Sequence, residues 1–224
     1  MPEPKIGLIF HGIGNPARTL EPGEAHYWIS KDHFASVLDR VCALPDPSRV
    51  RISFDDGNLS DVDIGLPLLR ERRLTADFFV LTGRIGKPGS LDTSDIIALQ
   101  AAGMTIGSHG IQHLKWSNLA AAALAAEVTE SRQTLEHLCA RPVLSAAIPF
   151  GAYNAGVLRA LRHAGYTSVY SSDGGTMNAQ ALLRPRSSVT ATTTLAQTDD
   201  ILAAKTDLKR RIRRRIGILR KHLF

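Results

Sequence analysis

The feature that most constrains this chain is the alternation of short, apolar, β-type runs with amphipathic stretches. The runs fall at residues 6–10, 50–54, 76–81, 104–108, 143–148 and 168–171. Between them, residues 64–73 carry leucines at helical spacing, with Pro67 in the first turns, and residues 94–102 begin with the cap-like DTSD. Residues 119–138 repeat apolar positions at spacings of three and four, and residues 155–164 follow a turn. Two of these helices should stop at a glycine, in AAGMTIG and HAGYTSV, as a C′ glycine does. Such alternation predicts a parallel sheet covered by crossover helices. About seven such units suit a barrel better than an open doubly wound sheet. The first strand is followed by HGIGNP and not by the glycine pattern of a dinucleotide fold. The expected class is α/β, one barrel over residues 1–200, with residues 201–224 as a basic amphipathic helix.

A chain of 224 residues is long enough for one substantial core. Its net charge of +6 is a property of the tail: from Lys205 onward nine Lys or Arg stand against one Asp, +8, which leaves −2 for the rest. A mildly acidic body argues against a nucleic-acid partner. In the tail, Leu208, Ile212, Ile216, Leu219 and Leu223 share one helical face. Such a helix either lies on an anionic membrane surface or packs on the barrel. The opening MPEPKIGLIFHGIG has no basic flank, long apolar segment or cleavage site. The expected location is therefore cytoplasmic, with the tail a peripheral contact to the inner face of the membrane. Cys42 and Cys139 read as buried thiols, too few for a disulfide framework.

In βα barrels functional residues gather at the C-terminal strand tips. The first run, in KIGLIFHGIG, ends on His11, a side chain that titrates near neutral pH. Alone it reads as a hydrogen-bonded structural histidine or as a catalytic group. The second tip carries Asp55 and Asp56 in ISFDDG. Asp-Gly is a common turn, but consecutive strand residues point to opposite sides, which leaves two carboxylates free for different tasks. The fourth tip, GSHGIQH, sets His109 and His113 at i and i+4. On a helical turn these would share one face and reach one metal ion; the alternative is chance among eight histidines. Phe150 follows the fifth strand and Asp173 the sixth.

Together these tips resemble the polysaccharide deacetylases, carbohydrate esterase family 4, with the NodB-homology domain. The motif T-F-D-D-G is matched by Ser53-Phe54-Asp55-Asp56-Gly57, H-[ST]-x-x-H by His109 through His113, and R-x-P-[FY]-G by Ala147-Ile148-Pro149-Phe150-Gly151. The resemblance implies a distorted (β/α)7 barrel. It implies a metal triad of Asp56, His109 and His113, holding Zn2+ or alternatively Co2+ or Ni2+, with Asp55 as general base. The implied reaction removes N-acetyl groups from an N-acetylated sugar in a polysaccharide or lipid-linked glycan. Phe150 and Gly151 would line the substrate groove. Trp116 would stack on a sugar or cover the metal histidines, and Asp173, placed with the substrate residues, would help orient catalytic groups or serve only its turn.

Two departures bear on mechanism. The arginine that orients the base in the family is Ala147 here, and Arg184 or Arg186, the latter grouped with the substrate residues, could supply a replacement guanidinium. The late L-x-H histidine that donates the final proton is missing, since only His222 follows Asp173. Leu8-Ile-Phe-His11 resembles the L-x-Y-H stretch of the poly-N-acetylglucosamine deacetylases, whose barrel is circularly permuted. That resemblance implies His11 as the general acid. Two other readings remain: hydrolysis of a small non-sugar amide, and an inactive glycan-binding domain.

Overall fold

A computed structural model describes residues 5–205. The strands are β1 (Lys5–Phe10), β2 (Gly12–Ile13), β3 (Trp28–Ile29), β4 (Val50–Asp56), β5 (Ala76–Val80), β6 (Thr105–Ser108), β7 (Ser145–Ala147), β8 (Ser168–Ser171), β9 (Thr176–Met177), β10 (Leu183–Pro185) and β11 (Ser187–Ser188). The helices are α1 (Lys31–Cys42), α2 (Leu66–Glu71), α3 (Thr93–Ala101), α4 (Ala121–Cys139), α5 (Ala155–His163) and α6 (Leu195–Leu202).

The main sheet runs β10-β8-β7-β6-β5-β4-β1-β11, and every pairing along that path is parallel. Its two ends belong to one stretch of chain. β10 pairs with β8, β11 pairs with β1, and Arg186 alone lies between them. Residues 183–188 therefore act as one closing stave, and the sheet becomes a ring of seven staves, in agreement with the expected distorted barrel. The stave breaks at Arg186, yet its N–H still donates to the Ser171 carbonyl at 2.9 Å. β9 pairs antiparallel with β1, and β2 with β3 forms a separate two-stranded ribbon.

Period-two alternation sorts side chains into two layers. Ile52, Phe54 and Phe78 face outward into the layer beneath the helices, with Phe34, Val37 and Leu38 of α1. Phe54 stacks on Phe78 with ring centres 4.6 Å apart, and Phe10 meets Phe34 edge-on at 4.8 Å. Burying each such ring stabilises the fold by about 1.5–3 kcal/mol. Phe79, Ala147, Tyr170 and Met177 form a second, inner cluster. Ser53 and Asp55 point the same way, because both bond Arg186.

The expected strands and helices are found with small shifts of boundary. Asp92 and Asp95 form a capping box at α3, which the DTSD signal anticipates. The stretch from residue 64 starts as a π turn, Asp61–Gly65, before α2, with Pro67 at the start of α2 as expected. Cys139 is buried, but Cys42 is exposed at the end of α1, a correction to its reading as a buried thiol. α6 runs past the expected boundary at residue 200 and packs on the barrel through buried Thr198 and Leu202 and an Arg40–Asp199 pair at 2.7 Å. The basic residues assigned to a C-terminal amphipathic helix lie, from residue 206 on, outside the described residues. No helix among the described residues is long and apolar enough to cross a membrane.

Candidate active site

A cleft of about 450 Å³ opens at the C-terminal ends of the barrel strands. His11, Asp55, Asp56, His109, His113 and Phe150 all line it. The chain thus brings together the tips of β1, β4 and β6 and the turn after β7.

Asp55 and Asp56 share the cleft although they are neighbours on one strand. Asp56 has φ of 82°, in the left-handed region, so the alternation breaks at the tip. His109 and His113 do not share a helical turn, which corrects the expectation. Residues 109–115 form a loop, with φ of 86° at Gly110 and 54° at His113. The loop still converges on the target, because each Nε2 lies 3.4 Å from Asp56 Oδ1. One ligand atom from each of the three residues falls within 4.8 Å of the others. His109 Nδ1–H donates to the Ala147 carbonyl at 2.9 Å, which leaves Nε2 facing the cleft. Fixing one ring nitrogen in this way orients the other toward a metal.

The donor set fits a divalent metal. One oxygen and two imidazole nitrogens are the ligand types zinc takes, and tetrahedral ligands at about 2.1 Å stand about 3.4 Å apart. Asp56 Oδ1 is buried without a hydrogen-bond partner. An orphaned buried carboxylate oxygen is costly unless something positive meets it.

Asp55 is held differently. Arg186 donates from Nη1 to Oδ1 and from Nη2 to Oδ2, both at 2.8 Å, and from Nη1 to Ser53 Oγ at 2.7 Å. Arg186 is 1% exposed, with its guanidinium over the rings of Phe79 at 5.0 Å and Tyr170 at 5.4 Å. Gly7 makes the room: a Cβ there would stand 2.7 Å from Arg186 Cγ. The guanidinium missing at position 147 is therefore present, carried by the closing stave. This corrects the grouping of Arg186 with the substrate residues, because it has no surface to offer a sugar. Arg184 instead bonds the Ala181 carbonyl and reaches Tyr170 Oη.

The electrostatics follow from this packing. Burial pushes the Asp55 carboxyl up, but the Arg186 cation, followed by His109, outweighs it and holds Asp55 below the usual carboxylate range. Asp56 is likewise raised by burial, yet held far lower by its contact with His109 and by His11 and His113. Burial lowers His11 below its ordinary value, against the upward pull of Asp56 and Asp55. His11 Nδ1 is buried without a hydrogen-bond partner, and its ring packs on Tyr27 at 4.7 Å.

The remaining expected site residues divide. Phe150 is 54% exposed at the rim and stacks on His113 at 4.3 Å, and Gly151 lines the cleft beside it. Trp116 is fully buried, so it covers the histidine loop and offers no face to a sugar, a correction to the stacking alternative. Asp173 accepts hydrogen bonds from Tyr153 Oη at 2.8 Å and Ser171 Oγ at 2.7 Å, and Ser172 lines the cleft in its place. Asp173 thus stands directly behind Ser172, bonded to Tyr153 and Ser171.

One wall escapes a motif search. Residues 14–27 fold over the cleft, and Glu21, Glu24, His26 and Tyr27 line it. Arg18 pins this wall by pairing with Glu24 and donating to Asn58 Oδ1 at 2.9 Å, while Arg84 pairs with Glu21. In the sequence, Tyr27 and Trp28 of EAHYWISKDHF read as packing residues or a substrate lip; Tyr27 lines the cleft and Trp28 is buried.

Comparison with known proteins identifies the family. Residues 44–169, more than half of the chain, match the family described as "Polysaccharide deacetylase". The chain is 25% identical over 179 residues to YxkH of Bacillus subtilis, which carries a polysaccharide deacetylase name. It is 29% identical over 129 residues to the chitooligosaccharide deacetylase of Rhizobium leguminosarum bv. trifolii. These alignments take in 75% and 57% of this chain, and 64% and 58% of the relatives, so the chain spans less than two thirds of either. Among solved structures, the Streptococcus pyogenes deacetylase PplD superposes with a TM-score of 0.78 at 18% identity, over 92% of this chain and 100% of that one. IcaB from Ammonifex degensii superposes with a TM-score of 0.72 at 20% identity, over 89% and 96%. These two likenesses establish the fold.

Proposed function

This chain belongs to the polysaccharide deacetylase family, and we propose that it hydrolyses N-acetyl groups from sugars of a polysaccharide or a lipid-linked glycan with the help of a divalent metal. The observation that carries this reading is the convergence of three metal-type donors, a clamped carboxylate and a histidine in one cleft. The names of the relatives, which refer to polysaccharides and chitooligosaccharides, support the substrate class.

Asp56, His109 and His113 would hold the ion, Zn2+ by donor type, with Co2+ or Ni2+ as alternatives. Such an ion supplies Lewis acidity toward a carbonyl and acidifies water. Asp55 takes a proton from the water that attacks the acetyl carbon, and Arg186 keeps it ionised and aimed. His11 gives a proton to the sugar nitrogen as the C–N bond breaks, which yields acetate and a free amine. Phe150 and Gly151 form the groove wall against the sugar.

Acetate release from N-acetylated oligosaccharides, with metal analysis of the same sample, tests the reading. Release from a small non-sugar amide alone supports the other hydrolase reading. A metal-free protein that binds glycan without releasing acetate supports a binding domain.

The basic tail supports one further element: a cytoplasmic protein that meets its substrate at an anionic membrane surface. Flotation on anionic liposomes of the full chain against a chain ending at Lys205 tests it. That end point spares α6, whose Leu202 is buried. Equal flotation of both chains contradicts the membrane role.

A further inference from the structure

The loop that carries His109 and His113 has no regular structure of its own, so its backbone needs outside partners. Two neighbours supply them. Its carbonyls are taken by the turn after β5: Thr82 N–H donates to the Gly110 carbonyl and Gly83 N–H to the Ile111 carbonyl, both at 3.0 Å. Its N–H groups are taken by side chains. Gly110 N–H donates to Ser108 Oγ at 3.1 Å. Ile111 N–H donates to Glu127 Oε2 at 2.8 Å, and Gln112 N–H to Glu127 Oε1 at 3.2 Å.

Glu127 lies on α4 and is 5% exposed. One helical turn on, Ser131 Oγ contacts Ser108 Oγ at 2.7 Å, so α4 holds the loop at two levels. The glycine of the motif is matched to this carboxylate. A Cβ at Gly110 would lie 2.7 Å from Glu127 Oε2 and 3.0 Å from the Trp116 ring. With φ of 86° at Gly110, any larger residue there would also be strained, so the loop takes this path only with glycine.

We propose that Glu127 is a positioning residue for the metal centre: it fixes the backbone between the two histidines, so that both Nε2 atoms face Asp56. The proposal rests on the reading of Asp56, His109 and His113 as metal ligands. A residue that acts on ligand geometry should change metal affinity beyond any change in fold stability. Outer partners of metal ligands typically alter affinity by about 10–100-fold when replaced.

The test is a Zn2+ titration against a chromophoric chelator, together with the visible spectrum of the Co2+ form and the melting temperature of the metal-free form. Glu127→Gln keeps one acceptor oxygen and is expected to bind Zn2+ about tenfold more weakly with an altered Co2+ spectrum, and Glu127→Ala more weakly still. Glu136→Gln is the control. Glu136 sits on the same helix and accepts a hydrogen bond from Val143 N–H at 3.0 Å, so its loss should lower the melting temperature and leave metal affinity unchanged. Wild-type affinity and spectrum in Glu127→Gln overturn the role, even if Glu127→Ala does not fold. Wild-type protein that takes up no metal contradicts the metal reading itself, and this role with it.

Discussion

Arg186 grips Asp55 through two hydrogen bonds of 2.8 Å, from the one residue that interrupts the closing stave of the barrel. The position where the related motif carries an arginine holds Ala147, whose carbonyl instead fixes His109. The guanidinium that meets Asp55 comes from the closing stave. Its planar fork, over two rings and against a carboxylate, is a geometry that lysine does not reproduce.

Replacing Arg186 by Met therefore leaves Asp55 buried without its cation. Burial alone raises a carboxyl pKa, so Asp55 should bind a proton at higher pH than in the wild type. The acid limb of the kcat/KM profile for acetate release is expected to move upward, with a loss of about 10²-fold at neutral pH. Arg186→Met should also cost about 3–5 kcal/mol of stability, because it strands a buried charge. Denaturant melts and a pH series check both, and an unmoved acid limb removes Arg186 from the mechanism.

His11→Ala should fold and bind metal like the wild type, because His11 is not one of the three clustered donors, Asp56, His109 and His113. Its turnover is expected to fall by about 10²–10⁴-fold, the usual contribution of a general acid. Turnover near that of the wild type, measured as acetate release, would return His11 to a structural role.

The metal reading predicts one tightly held divalent ion per chain. Asp56→Asn and His113→Ala should each lose it on dialysis, and chelation should abolish acetate release by the wild type until metal is restored. Elemental analysis after dialysis gives the readout. Retention of the ion by both variants would place it elsewhere.

Asp61 supplies a test of stability against pH. It is fully buried, and neither carboxylate oxygen has a partner. Burial, then the charges of Asp56 and Asp55, raise its pKa well above the ordinary value. The folded state thus holds this proton more tightly than the unfolded chain does. Stability is lost as pH rises from the unfolded value toward the folded one. Metal-free Asp61→Asn should melt higher than metal-free wild type near pH 8, with the difference shrinking toward about pH 4. An equal difference at both pH values would mean that Asp61 is neutralised by some other contact.

Much of this was legible in the sequence, for identifiable reasons. β1 and β5 are largely apolar because both faces of a barrel stave are covered, while β4 alternates apolar residues with Arg51 and Ser53, and the tips of these strands are legible directly. α1 carries a different signal, with Phe34, Val37, Leu38 and Val41 buried at helical spacing. The closing stave was not legible. Leu183–Pro185 and Ser187–Ser188 are short, polar and split around an arginine, and they pair only because two distant edges meet there. The histidine pair was legible by spacing but not by backbone, since a positive φ at His113 belongs to a loop clamped from outside. Glu127 gave no signal, because a glutamate on a long helix looks solvated until the loop beneath which it lies is known.

The most direct test of the account compares the wild type with Asp55→Asn, each loaded with Zn2+, for acetate release from an N-acetylated oligosaccharide. The account predicts equal metal content, with acetate released by the wild type and almost none by the variant. Equal acetate release from both proteins would contradict the account, because the carboxylate held by Arg186 would then not be the base.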